Sequence, residues 1–301
     1  MRKLIILLSG VAFLALSACN RNQNLSDGYG NFDAHAEVIV SAQTMGQLLQ
    51  FNVEEGDYLK TGQLVGLVDT LDLHLKKEVL MKQKTAVASQ LINVKATIIV
   101  QKQQLAINKI NQRRIQNLFK SHAATQKQLD DINGLVDLNR KQIKATRTRE
   151  ISIAAEMKSI MAQVASVNET INKCLIKNDV PGTVLVKYAE KGELATPGKP
   201  LYKIANLKTL ELKAYVSGSD LNRIKIGQQV KVYYDKNKTE NREVNGRIIW
   251  ISPFSEFTPK TIQTKDERVN LVYAVKIKVP NQNGAIKIGM PGEFKIMENT
   301  K

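Results

Sequence analysis

The groups able to do chemistry in this 301-residue chain are few and far apart. His35, His74 and His122 share no metal-ligand spacing. Apart from Cys19 the one thiol is Cys174, which can form no internal disulfide and falls on an apolar helical position as a buried structural group. Asp130-Asp131 opens a helical stretch, where acid suits the helix dipole. No phosphate loop or nucleophile elbow occurs. Catalysis, a metal and a cofactor are therefore not expected. A further polar stretch is RIQNLFKSHAATQKQLD, in which Arg113 and Arg114 lie near the end of a helical stretch, where positive charge suits the dipole. Thr125-x-x-Gln128 has the form of a capping box that opens a helix, and Leu129 fits an apolar heptad.

The elements that position these residues are long helices. All seven prolines lie at or after Pro181, and Gly134 is the one glycine between Leu71 and Asp179. A seven-residue series runs through Leu73, Leu80, Val87, Val94, Gln101, Asn108 and Ile115, flanked by Leu91, Ile98 and Leu105. A second runs through Leu129, Val136, Ile143, Glu150, Met157, Val164 and Ile171, with Ile132, Ile153, Ile160 and Val167 beside it. The pairs 73/171, 80/164, 87/157 and 115/129 are each equidistant from position 122. The pattern predicts an antiparallel helical hairpin over residues 72–171 with its tip at 121–124, each arm about 65–70 Å long. Its seam turns polar toward the tip at Gln101, Asn108, Asn139 and Thr146, positions that set register, face neighbouring copies or line a wet channel. Asn133-Gly134 reads either as a weak point or as a site of close packing.

The hairpin interrupts a repeat. VEEGDYLKTGQLVG at 53–66 and AEKGELATPGKPLY at 189–202 share a Gly-x5-Gly phrase at a constant offset (192 − 56), which also relates Gly46 to Gly182 and Gly62 to Gly198. Each phrase sits among short apolar strands, and a few strands cannot bury their apolar face alone. The halves 35–71 and 172–208 are thus expected to close into one β module. Each of Gly46, Gly56, Gly62, Gly182, Gly192 and Gly198 is expected to supply a tight turn.

At the N-terminus, Arg2-Lys3 precedes an apolar run that ends in small residues at Cys19. The run is too short to span a bilayer and reads as a signal peptide over 1–19. LSAC resembles the bacterial lipobox, whose cysteine carries acyl chains, each buried CH2 adding about 0.8 kcal/mol of membrane affinity. Residues 20–34 are polar and read as a flexible tether. No other segment is suited to span a membrane. The net charge of +16 raises anionic partners, but no basic run with interleaved aromatics occurs, which argues against nucleic acid.

The half-motifs resemble those of lipoyl and biotinyl carrier domains. With a coiled-coil hairpin between them, the chain resembles periplasmic adaptors, or membrane fusion proteins, of the hemolysin-D type. The hairpin replaces the turn that carries the modified lysine in carrier domains, so the resemblance implies no lipoyl or biotinyl group. The family's motif for docking to TolC-type outer-membrane channels matches Arg114, Leu118, Thr125, Leu129 and Asp130 in every spacing, with Thr125 in place of serine. Residues 209–297 alternate between regular turns and resemble the family's small antiparallel β-barrel. FTPKTIQTKDERVNLVYAV resembles a subgroup that works with ABC-type exporters, and a membrane-proximal domain is expected to be missing after GMPGEFKI. The fold class is mixed α and β and elongated: a lipoyl-like β-sandwich (barrel-sandwich hybrid) with an inserted hairpin, followed by a β-barrel. The resemblance implies an inner-membrane exporter as partner (ABC type favoured, a proton-driven pump the alternative), a TolC-type channel, self-association into a ring, and a lipid anchor in the periplasm at Cys19. The competing readings are a carrier subunit of an acyl-transfer or carboxylase complex, and a structural coiled-coil lipoprotein.

Overall fold

The computed structural model describes residues 26–237, 240–257 and 271–297. The signal peptide, Cys19, and the stretch from 258 to 270 lie outside the described residues. Strands β2 (Glu37–Ser41), β3 (Gly46–Phe51), β4 (Tyr58–Leu59) and β5 (Leu64–Val68) come from the first repeat. Strands β6 (Leu175–Lys177), β7 (Gly182–Lys187), β8 (Leu194–Ala195) and β9 (Pro200–Ala205) come from the second. They form two four-stranded sheets, ordered β2-β9-β7-β4 and β6-β5-β3-β8. Each sheet thus takes two strands from each repeat, and neither repeat is a sheet by itself. Leu48, Val53, Val65, Leu201 and Ile204 fill the space between the sheets and are fully buried.

The repeat is also a symmetry of the hydrogen bonds. Gly56 N–H donates to Val184 O at 2.9 Å, and Gly192 N–H donates to Leu48 O at 2.8 Å. Gly62 N–H donates to Asn178 O at 2.7 Å, and Gly198 N–H donates to Ala42 O at 2.9 Å. All four glycines have positive φ, as turns with no room for a Cβ penalty require. Gly46 and Gly182 depart from the expected turn role, since they begin strands β3 and β7. They are needed for close approach: a Cβ would stand 2.6 Å from Val68 Cγ1 at Gly46 and 2.5 Å from Ala205 O at Gly182.

One polar residue breaks the symmetry. Asn178, where the first half has Ala42, is fully buried. Its Nδ2 donates to Lys60 O at 3.1 Å and to Val180 O at 2.6 Å, and its backbone N–H donates to Gln63 O at 2.9 Å. Its Oδ1 accepts from the Tyr202 hydroxyl at 3.1 Å. Lys60 and Gln63 belong to the first half, Val180 and Tyr202 to the second, so this side chain laces the halves together.

Between β5 and β6 the chain leaves as helix α1 (Leu71–Lys120) and returns as α2 (Gln126–Cys174), 50 and 49 residues, about 75 Å each. Leu80, Val87, Val94 and Ile98 of α1 are buried against Ile153, Ile160 and Val167 of α2. Cys174, the last residue of α2, is fully buried in the sandwich core.

The third element is a closed barrel in the order β1-β10-β13-β12-β11-β14. It comprises β1 (Gly28–Ala34), β10 (Thr209–Ser217), β11 (Gln229–Asp235), β12 (Asn241–Phe257), β13 (Leu271–Pro280) and β14 (Pro291–Ile296). Residues 28–34, expected within the tether, instead form its first strand. Phe32 puts a fully buried ring into the barrel core, and a Cβ at Gly30 would stand 1.8 Å from Lys213 O. What reads as linker glycine is therefore strand contact, and β1 pairs with both β10 and β14 to leave no open edge. Two short links, at residues 35–36 and 206–208, join barrel to sandwich. Near the first link, His35 Nδ1 contacts the buried carboxylate of Glu211, whose other oxygen meets Lys276 Nζ at 3.2 Å.

Burial first, and the Asp179 carboxylate second, push the Tyr202 hydroxyl up to about 12. The folded protein holds this proton more tightly than the unfolded chain does. The resulting stabilisation is complete below about pH 10 and is lost as pH rises toward 12, a change of about 2–3 kcal/mol. Denaturant melts are expected to show a steeper alkaline loss of stability in the native protein than in Tyr202→Phe. At neutral pH the variant should be about 1 kcal/mol less stable, having lost one buried hydrogen bond.

Candidate functional site

The tip of the hairpin is the most constrained turn of the helical part. Helix α1 ends with His122 in a left-handed conformation, φ 59°. His122 N–H donates to Phe119 O at 3.0 Å and Ala123 N–H to Leu118 O at 2.8 Å. These are the two bonds of a Schellman ending, with histidine where glycine is usual. The Ser121 hydroxyl adds a further bond to Leu118 O at 3.0 Å. Helix α2 then starts on a complete capping box. Thr125 Oγ1 accepts from Gln128 N–H at 3.2 Å, and Thr125 N–H donates to Gln128 Oε1 at 2.9 Å. A threonine cap of this kind contributes about 1 kcal/mol.

Against this frame the five motif residues lie within a few turns of the tip. Arg114, Leu118, Thr125 and Asp130 are exposed, and Leu129 is half-buried. Asp130 Oδ1 accepts from Gln126 Nε2 at 2.8 Å. Among the described residues no ion pair engages Arg114 or Asp130, and the two do not pair with each other. The guanidinium and the carboxylate are thus both open to a partner. Leu118 is 39% exposed and presents an apolar contact beside the charges, one of several exposed apolar side chains on this helix.

Sequence reasoning missed how the arms are joined here. Gln112 Nε2 of α1 donates to Asn133 Oδ1 of α2 at 2.7 Å, a strut across the hairpin two turns below the tip. Nothing in the one-dimensional pattern marks it, because both residues are polar and flank the apolar series. It gives Asn133 a role, whereas Gly134 packs against nothing: a Cβ there would meet no atom within 4 Å. Of the polar seam residues, Asn108 and Asn139 are buried between the arms, which rules out a channel-facing position for them. Gln104 Nε2 donates to Asn108 Oδ1 at 3.2 Å, while Asn108 Nδ2 and Asn139 Nδ2 have no protein partner among the described residues. The apolar cluster shared by the arms runs from Leu73 to Ile98 and from Ile153 to Ile171. Beyond it, buried Val136 and Ile143 share the distal seam with these asparagines.

No group of three or more His, Cys, Asp or Glu is placed to hold a metal ion among the described residues. No helix among them is long and apolar enough to cross a membrane.

No family model matches the chain. It is similar to a UPF0194 membrane protein of Citrobacter koseri, 26% identical over 325 residues covering 97% of this chain and 96% of the relative. The UPF0194 membrane protein YbhG of Salmonella arizonae is 27% identical over 301 residues, 91% and 89% of the two chains. Among solved structures, MacA from Actinobacillus actinomycetemcomitans aligns over 92% of this chain and 81% of its own, with TM-score 0.57 and 18% identity. A membrane fusion protein of Streptococcus pneumoniae aligns over 90% and 98%, with TM-score 0.53 and 14% identity. The fold is that of a membrane fusion protein. Sandwich, inserted hairpin and barrel follow one another in the arrangement that the sequence led one to expect, apart from the barrel's early first strand.

Gly134→Ala should raise hairpin stability by about 1 kcal/mol, because the added methyl restricts the unfolded chain and meets no atom in the fold. Thermal melts followed by helical circular dichroism check this. A lowered midpoint would show that position 134 is a contact after all.

Proposed function

We propose that the chain is a periplasmic adaptor. Acyl chains on Cys19 anchor it, the sandwich and barrel stand on an inner-membrane exporter, and the hairpin tip meets a TolC-type outer-membrane channel. Several copies side by side complete a conduit for small molecules. An ABC-type exporter is favoured over a proton-driven pump by the resemblance of residues 257–275 to the subgroup that works with ABC-type exporters.

The observation that carries the reading is geometric. A hairpin of about 75 Å leaves the β module and ends in a turn locked at both helix ends, and five residues with the family's docking spacing stand at that far end. A structural coiled coil would need the lock but not an exposed arginine and carboxylate that have no ion-pair partner among the described residues. A carrier subunit would need a modifiable lysine at the turn between halves, and here that connection is the hairpin. The roles follow from chemistry. Arg114 offers a planar fork of donors to a carboxylate or to carbonyls. Asp130 accepts, Leu118 fills an apolar depression, and Thr125 and Leu129 hold the turn in shape. Catalysis has no part in this reading.

Arg114→Asp should leave the helical content and melting temperature of the purified protein unchanged, since Arg114 is exposed and makes no side-chain bond among the described residues. Export by cells carrying only this variant should fall to the level of cells lacking the protein. Normal export would reject the docking role of the tip. Intact mass of the membrane-extracted protein tests the anchor independently, with added acyl chains expected at the mature N-terminus.

A further inference from the structure

The excess of positive charge is not spread evenly along the chain. No acidic residue occurs between Glu78 and Asp130. On α1, Lys95, Lys102 and Lys109 recur every seven residues and so form one row along the helix. On α2, Arg140, Lys144 and Arg147 follow at spacings of four and three, which also makes a row. The Gln112–Asn133 strut shows that the two rows share a side of the hairpin. Gln112 stands three residues beyond Lys109, and Asn133 leads through Asp137 to Arg140 by the same spacings, so each end of the strut belongs to one row. All six cations are exposed. Asp137 is the one acid in either row, and its carboxylate is taken by Lys141 at 2.8 Å. Among the described residues no ion pair engages any of the six. The opposite flank of α1 carries Gln83, Gln90, Thr97 and Gln104, all uncharged.

Position decides what can meet this face. Lys95 and Lys109 stand about 21 Å apart along the axis, and Lys109 lies about 20 Å short of the turn at His122. Lys95 lies about 36 Å from the start of α1 at Leu71. Read as an adaptor, the hairpin has both membranes beyond its ends, so lipid headgroups are out of reach of its middle. The cations are strung out along the axis and converge on no point, so a small anion would touch one or two of them. A lone exposed ion pair contributes little, whereas one polymer that engages several gains from each. Phe119 is the one Phe, Tyr or Trp from Leu71 to Cys174, so this face has no platform on which bases could stack. Turning the face into a closed conduit would crowd together the like charges of every copy, and such self-repulsion opposes assembly.

We propose that this face of the hairpin binds an extended polymer bearing carboxylates, and that the polymer is the glycan-peptide mesh of the cell wall, which an arm reaching from one membrane to the other must cross. This rests on the adaptor reading given above. The contact braces the hairpin midway, at a height that neither the exporter nor the channel supports.

The test is co-sedimentation of the full mature protein, in detergent, with purified peptidoglycan sacculi. Native protein is expected to sediment with the sacculi at low salt and to be released in about 1 M salt, where the Debye length is about 3 Å. The triple variant Lys95→Gln, Lys102→Gln, Lys109→Gln is expected to bind about tenfold more weakly. The triple variant Gln83→Glu, Gln90→Glu, Thr97→Glu changes the net charge by the same amount on the other flank and is expected to bind as the native protein does. Both are compared with it at equal helical content by circular dichroism. Native protein that stays in solution beside the sacculi overturns the wall contact and leaves the adaptor standing. Equal weakening in the two triple variants assigns the binding to net charge and overturns the role of this face. Unchanged sacculus binding by the lysine variant, with export of carboxylate-bearing compounds lost and that of neutral ones kept, puts the face inside the conduit and overturns the proposal. Recovery of the native protein from the cytoplasm on cell fractionation overturns the adaptor reading and the proposal with it.

Discussion

Everything in this molecule depends on two β fragments finding each other across a helical insertion of a hundred residues. Beside the strand pairings between the halves, one buried amide ties this closure to a single register. Asn178 bonds to backbone of the first half through Lys60 and Gln63 and to the second through Val180 and the Tyr202 hydroxyl. A buried amide is costly unless satisfied, and here its donors and acceptor all have partners. Apolar burial between the sheets supplies most of the cohesion, but it would tolerate sliding. The amide accepts one register, and that register fixes where both helices depart.

The consequence passes outward along the hairpin. Because α1 and α2 start from adjacent strands β5 and β6, which pair with each other, their bases are held at a fixed separation. The seam is apolar over the basal half, and over the distal half buried Val136 and Ile143 alternate with buried Asn108 and Asn139. At the far end the capping box, the Schellman bonds and the Gln112–Asn133 strut hold the tip over a few turns.

Much of this was legible in the residues, for identifiable reasons. The repeat announced itself because turn glycines at positive φ tolerate few substitutes. The hairpin announced itself because helices of this length need an unbroken apolar stripe and no proline. Thr125 and Gln128 gave the start of the return helix through capping chemistry that is local in sequence. The losses share a cause too. GYGNFDA looked like a linker because its glycines and polar residues dominate, yet one buried Phe32 and close strand contact make it a barrel strand. Gly46 and Gly182 looked like turns, but tertiary crowding by Val68 and Ala205 is what requires them. The Asn178 bonds and the Gln112–Asn133 strut rest on contacts between distant segments, and no local pattern encodes those.

The pairing of β1 with β14 has an effect on biogenesis. The first strand of the barrel finds one of its neighbours only in the last strand, Gly28 lying opposite Phe294. A chain delivered from its N-terminus must keep β1 waiting through the synthesis of the sandwich, both helices and the rest of the barrel. Such long-range closure is slow, since the loop entropy is lost before the contacts form. The newly made protein therefore passes through a stage with an open barrel and an unsatisfied strand edge, and shielding that edge is a requirement the cell must meet before the assembled form exists.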